Sequence, residues 1–168
     1  MENIPYEIER KFLIEYPDAE FIDSVSDISD IVQTYLKSEG SGVSERLRKR
    51  GSGENFVYTH TIKKHINDMR RIELENEISE DEYTELLSRA DSERNVIYKK
   101  RLCCNYNNQL FEIDLYPFWT DRAVMEIELR DEKQSVDFPP DVKIIKEITS
   151  DKRYTNASMA KSIPEDII

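Results

Sequence analysis

Charged side chains recur at every second position along several short stretches of this chain, nearly pure in sign within each. Glu7, Glu9 and Lys11 alternate, as do Arg46, Arg48 and Arg50, then Glu73, Glu75 and Glu77. Lys99 with Arg101, Glu112 with Asp114, and Glu126 with Glu128 and Arg130 continue the pattern. Columns of carboxylate oxygens suit hard divalent cations such as Mg2+ or Mn2+. Columns of Arg and Lys suit phosphate oxygens, with Arg favoured for bidentate contact. Acids for a metal and bases for an anion, gathered in one cavity, are the equipment of phosphoryl transfer. There a protein mainly positions the substrate and neutralises developing charge.

Such columns need strands to hold them, because alternate residues of a strand point to opposite faces. The faces opposite the charges are apolar: Ile8 and Phe12, Tyr58 and Ile62, Tyr98 and Leu102, Phe111 with Ile113 and Leu115, Met125 with Ile127 and Leu129. Thr59, Thr61 and Lys63 share a face, and a weaker run covers 31–37. The sequence thus predicts about eight strands of ordinary length. Taken singly, each strand reads as the wet face of an antiparallel sheet. Taken together, like charges two apart repel on one face, a cost that a merely solvated surface has no reason to collect. Closing eight strands into a barrel turns the charged faces inward and leaves the apolar faces outside, beneath helices and loops.

The expected fold class is therefore α+β: a closed eight-stranded antiparallel β-barrel, a tunnel with a charged interior, a few covering helices and a C-terminal helix. It forms a single domain over residues 1–168. Ser79 with Glu82 reads as a capping box ahead of Tyr83, Leu86 and Leu87. Phe21, Ile22, Val25 and Ile28 predict an amphipathic helix over 18–31, and a short helix is expected over 156–163, stopped by Pro164.

Composition narrows the function. The 35 acids against 24 bases give a net charge of −11, yet 38% of residues are hydrophobic, with nine Tyr and six Phe. That content argues for a folded chain. His60 and His65 have no cysteine near them, which disfavours a zinc site. Neither Gly40-Ser-Gly42 nor Gly51-Ser-Gly53 continues into a dinucleotide fingerprint or a Walker loop. The adjacent Cys103 and Cys104 suit a reducing, cytoplasmic setting. The stretch from Met1 to Phe12 carries no signal peptide and no apolar run spans a bilayer, so no membrane partner is expected. A pI near 4.8 disfavours nucleic acid.

Glu7-Ile8-Glu9-Arg10-Lys11 matches the Glu-x-Glu-x-Lys signature that opens members of the CYTH superfamily, the triphosphate tunnel metalloenzymes. The strands that follow resemble the family's series in the family's order: Glu45-Arg46-Leu47-Arg48, Thr61-Ile62-Lys63, Glu73-x-Glu75, Lys99-x-Arg101, Phe111-Glu112-Ile113-Asp114 and Glu126-Ile127-Glu128. Residues 150–156 resemble the element before the family's C-terminal helix, so the likeness covers about 4–163. It is nearest to the short bacterial members that act as inorganic triphosphatases.

The resemblance implies a metal-dependent hydrolase that cleaves tripolyphosphate to pyrophosphate and phosphate, with Mg2+ or Mn2+ as cofactor. Glu7, Glu9, Glu126 and Glu128 would ligate metal. Lys11, Arg46, Arg48, Lys63, Lys99 and Arg101 would hold phosphate oxygens, and Lys152 would reach in from the C-terminal segment. Glu73, Glu75, Glu112 and Asp114 would hold a second metal, order water, or fix basic side chains by ion pairs. Lys11 is expected as an electrostatic clamp, since a Lys among carboxylates stays protonated; Glu73 or Glu75 would orient the water. The implied partner is a small anionic triphosphate, with a homodimer left open. Other readings are an adenylate cyclase of the same superfamily, a thiamine or other organic triphosphatase, or a non-catalytic polyphosphate binder.

Among the remaining residues, parity sets His60 on the outer face and Arg50 and Arg130 on the inner one, without a role for either arginine. Tyr35 is expected to face the interior, His65 to sit in a turn and Trp119 to pack.

Overall fold

Alternation builds strands, and in the computed structural model they are β1 (Tyr6–Glu15), β2 (Asp27–Tyr35), β3 (Val43–Ser52), β4 (Asn55–His65), β5 (Arg70–Ile78), β6 (Ile97–Tyr106), β7 (Gln109–Leu115), β8 (Arg122–Glu128) and β9 (Ile144–Glu147). The structure describes residues 6–38 and 40–168. The first five residues, where the signal-peptide reading and the family resemblance begin, lie outside the described residues.

The strands pair antiparallel in the order β5-β4-β3-β2-β6-β7-β8-β1, and β5 returns to β1 to close the barrel. This is the expected eight-stranded tunnel. The closing seam is short: Tyr6↔Ile72, Glu7↔Arg71 and Ile8↔Arg70 are its register pairs. Further along the same edge of β1, β9 takes over, pairing with Phe12, Leu13 and Ile14. β9 was not expected, because Ile144-Ile145-Lys146-Glu147 carries no alternation; it is a strand because β1 offers it an unpaired edge.

The expected helix over 18–31 is shorter. α1 spans Ala19–Ser24, capped by Asp18, whose Oδ1 accepts from the Phe21 amide at 2.8 Å. Ile28 and Ile31 belong to β2 instead, where the β-branched run Ile28-Ser-Asp-Ile31-Val32 favours extended backbone. α2 (Glu80–Leu86) starts with the predicted capping box: the Glu82 amide donates to Ser79 Oγ at 3.1 Å and the Ser79 amide to Glu82 Oε2 at 2.8 Å. α3 covers only Asn156–Met159, capped by Thr155, so the expected C-terminal helix ends well before Ile163. Among the described residues no helix is long and apolar enough to cross a membrane.

Three apolar clusters surround the charge. Outside the barrel, Phe12, Ile14, Phe111, Ile113, Met125 and Ile127 are buried beneath α1 and Val136, Phe138 and Val142. On another side α2 lays Tyr83 over Leu47 and Leu36. The third cluster is inside. Leu13, Tyr35, Ile97, Tyr116 and Val124 pack with Trp119, Tyr154 and Met159. By strand parity with the charged residues, these side chains of β1, β2, β6 and β8 point inward. One end of the interior is thus filled by an apolar plug, and charge occupies the rest.

The β3–β4 hairpin leaves no room at Gly51: a Cβ there would lie 1.9 Å from the Asn55 carbonyl oxygen. Gly51→Ala is expected to destabilise the fold by about 1–3 kcal/mol, as overpacked sites do, read as a lower urea midpoint. An unchanged midpoint would show that the hairpin backbone yields.

Candidate active site

The charged part of the interior is a cavity of about 250 Å3. Seven carboxylates line it: Glu7 and Glu9 from β1, Glu73 and Glu75 from β5, Glu112 from β7, Glu126 and Glu128 from β8. Eight cations face them: Lys11, Arg46, Arg48, Arg50, Lys63, Arg71, Lys99 and Arg101. Strand register brings them together, because directly opposed residues of antiparallel strands share a face. Glu9 opposes Glu128, Lys11 opposes Glu126, Lys63 opposes Glu73 and Arg101 opposes Asp114.

Each group answers the cost of losing water by pairing. Lys11 Nζ lies 2.9 Å from Glu126 and 3.8 Å from Glu9. Lys63 Nζ lies 2.6 Å from Glu73 and 3.4 Å from Glu7. Asp114 sits beneath the cavity floor. Its oxygens take Lys99 Nζ at 2.6 Å and Arg101 Nε and Nη2 at 2.7 and 2.8 Å, and Arg101 also contacts Glu112. Burial opposes charge on both Lys99 and Asp114; the cations beside Asp114 hold it ionised at about 2, while burial pushes Lys99 down. Of the three roles open to Asp114, the geometry provides the last: it fixes two basic side chains. Three donors on its two oxygens hold this carboxylate toward the basic side chains.

Two arginines of β3 keep donors in reserve. Arg46 Nε and Arg48 Nε are buried without a hydrogen-bond partner among the described residues. The nearest carboxylates stand 3.7–4.0 Å away, beyond hydrogen-bond reach. Burial, then the charges of Arg46 and Arg101, lower Arg48 to about 10. Mutually repelling guanidiniums with unused N–H groups want an anion with several acceptor oxygens.

The acidic bank wants a cation in the same way. Burial, a hydrogen bond with Glu73 and the charge of Glu9 raise Glu7 to about 7, and burial with Glu112, Glu73 and Glu9 raises Glu128. Glu128 has no ion-pair partner among the described residues, unlike Glu7, Glu9 and Glu126. Carboxylates from two adjacent strands that destabilise one another's charge fit a hard divalent ion in donor type. Among the described residues no three acids stand grouped to hold a metal, because Glu7, Glu9 and Glu126 are turned onto Lys63, Arg71 and Lys11.

All the residues to which the family resemblance gives a role line this cavity except Asp114 and Lys152. Lys152 is exposed, in a 3-10 turn (Lys152–Tyr154), and lines a second cavity of about 380 Å3. That cavity shares Glu9, Lys11, Ser44, His65 and Arg71 with the first, so it is the lateral mouth of the tunnel. His65 corrects an expectation: it is the last residue of β4, not a turn residue, and it faces this mouth opposite Arg71. Arg130 lies beyond the end of β8 at Glu128 and is exposed, lining a cleft that shares Glu112 and Glu128 with the charged cavity. Arg50 and Tyr35 do line the cavity, Trp119 packs in the plug, and His60 faces outward with Nε2 2.8 Å from Glu45. Arg71 was missed. Its signal was available, since it lies two residues before Glu73 on the same strand face.

No family profile matches the chain. It is 31% identical over 160 residues to a protein named inorganic triphosphatase from Nitrosomonas europaea, covering 94% of this chain and 99% of that one. Among solved structures it resembles the inorganic triphosphatase NE1496, with TM-score 0.58 and 30% identity over 94% of this chain and 96% of that chain. A putative adenylate cyclase from Bacillus halodurans, 16% identical, shares the fold with TM-score 0.53 over 76% of this chain and 82% of that chain.

Glu7 carries a stability signature. Between pH 4.5 and about 7 the folded protein binds a proton at Glu7 that the unfolded chain has released, so this group's contribution to stability falls as pH rises through that window. Glu73, held at about 2 by Glu7, Lys63 and Arg46 despite burial, acts with opposite sign below pH 4.5. In EDTA, Glu7→Gln is expected to flatten the decline of melting temperature across the upper window. An identical slope in both proteins would count against a protonated Glu7.

Proposed function

The chain belongs to the CYTH superfamily of triphosphate tunnel metalloenzymes, and from that premise we propose that it hydrolyses inorganic triphosphate to pyrophosphate and phosphate with a divalent metal ion. The observation that carries the reading is the pair of buried arginines, Arg46 and Arg48, with unspent N–H donors facing a bank of mutually destabilised carboxylates. A small polyanion with its counter-ion completes both sides at once.

Arg46, Arg48, Lys63, Lys99 and Arg101 bind the phosphate chain and hold it in line, and Lys152 meets it at the lateral mouth. Asp114 keeps Lys99 and Arg101 aimed. Burial works against the charge of Lys11, but Glu126 and Glu9 keep it protonated, so it clamps phosphate oxygens and does not act as a base. Glu73 and Glu75 orient the attacking water, and Glu75 takes its proton. The water oxygen bonds to the terminal phosphorus, the bridging P–O bond breaks, and the electron pair departs on pyrophosphate. Glu7, Glu9, Glu126 and Glu128, with Glu112 beside them, would hold Mg2+ or Mn2+. Bound there, the ion neutralises charge developing on phosphoryl oxygens. The setting is a single cytoplasmic domain over residues 1–168.

The test is phosphate release from tripolyphosphate, ATP and thiamine triphosphate with Mg2+ or Mn2+, then with EDTA. Tripolyphosphate is expected to turn over fastest and EDTA to stop it; folded protein inactive on every substrate would overturn the reading. Cyclic AMP formed from ATP would replace it with a cyclase. Glu9→Gln is expected to lower kcat/KM by roughly 100-fold or more, about 2.7 kcal/mol of transition-state stabilisation.

A further inference from the structure

Arg71 rests on two of the carboxylates proposed above as metal ligands. It opposes Glu7 across the seam that closes the barrel. Its Nε is 3.3 Å from Glu7 Oε2, its Nη2 contacts Glu9 Oε1, and its side chain is only 12% exposed. One guanidinium therefore bridges two carboxylates of the acidic bank, and Lys11 and Lys63 occupy the same two acids from their other sides. Its hold is electrostatic more than directional, since Nε makes no hydrogen bond of good geometry. Burial works against its charge, but Glu9 and Glu7 outweigh that. The way out is open. Arg71 lines both the charged cavity and the lateral one of about 380 Å3, so its side chain has space beside Glu9 to move into.

We infer that Arg71 is a tethered counter-ion that competes with the divalent metal for Glu7 and Glu9. This rests on the metal reading above. A metal ion and a guanidinium exclude one another on the same oxygens, so each must weaken the other's hold. When metal takes Glu7 and Glu9, Arg71 is released as a free cation at the lateral mouth, where it adds donors for the phosphate chain. Arg71 thereby keeps the acidic bank neutralised in the empty tunnel and couples metal entry to readiness for the anion.

The experiment measures Mn2+ binding to the protein without substrate, from the electron paramagnetic resonance signal of free Mn2+, for the wild type, Arg71→Gln, Arg71→Lys and Glu9→Gln. Arg71→Gln is expected to bind Mn2+ about tenfold tighter than the wild type, equivalent to about 1.4 kcal/mol. Arg71→Lys, which keeps the charge but lacks the fork that spans two carboxylates, should fall between them. Melting in EDTA adds a second readout: Arg71→Gln should melt lower than the wild type and gain more from added Mn2+. Equal or weaker Mn2+ binding by both Arg71 variants overturns the competition. If Arg71→Gln does not fold, Arg71→Lys decides alone. If the wild type and every variant leave millimolar Mn2+ free, the metal reading fails and this inference with it; unchanged binding by Glu9→Gln removes Glu9 from the metal set and equally overturns the competition there.

Discussion

A charge taken out of water must meet an opposite charge or a set of hydrogen bonds, and this barrel takes out many. An ion moved into protein loses several kcal/mol of hydration even after relaxation. Fifteen charged side chains line one cavity here, and the strand order meets the demand by placing the mainly basic walls of β3, β4 and β6 against acidic residues of β1, β5, β7 and β8. Buried ion pairs are weak evidence for stability, since apolar residues of similar volume often hold a fold as well. Their presence in such number follows from a ligand that needs both signs of charge, more than from the fold's own needs.

The apolar residues then do the stabilising from unaccustomed places. The usual barrel core lies inside; here the largest cluster lies on the outer surface, beneath α1 and the segment from Val136 to Val142, and a small one lies beneath α2. Only the end filled by Leu13, Tyr35, Ile97, Tyr116 and Val124 has an interior core. That plug sets the depth of the charged section and supports Lys99 from below, with its ammonium 5.9 Å from the Tyr116 ring centre. The division leaves the chemistry in a polar section of fixed length, open at the side where β5 and β9 share the edge of β1. The net charge of −11 hides this arrangement, because it averages opposed columns and says nothing of the local basic lining.

Period two was the legible signal. Glu7 with Glu9, Arg46 with Arg48, and Glu73 with Glu75 announced their strands because like charges at every second residue share a face only in extended backbone, and the capping box of α2 was equally local. The errors have local causes too. Phe21, Ile22, Val25 and Ile28 fit a helical period, but α1 and the start of β2 divide them, and both elements deliver them to the same outer cluster. A burial pattern alone does not distinguish those routes. β9 carries no alternation, since it exists to complete the edge of β1. Arg71 lay on a face already recognised, and only the closing of β5 onto β1 gave it Glu7 and Glu9 as partners.

By itself the sequence determined which charged side chains share a strand face and that the interior must hold both signs of charge, because side-chain parity along a strand is a local property of the backbone. It also determined the family, through charge pairs in a particular order. The tertiary structure alone decided who meets whom. Asp114 became a brace for Lys99 and Arg101, Arg46 and Arg48 were left with free donors, and Arg71 came to rest on Glu7 and Glu9. Those outcomes depend on register and on closure between strands far apart in the chain. No local pattern encodes a partner across a seam, since the partner is chosen by the geometry of the whole barrel.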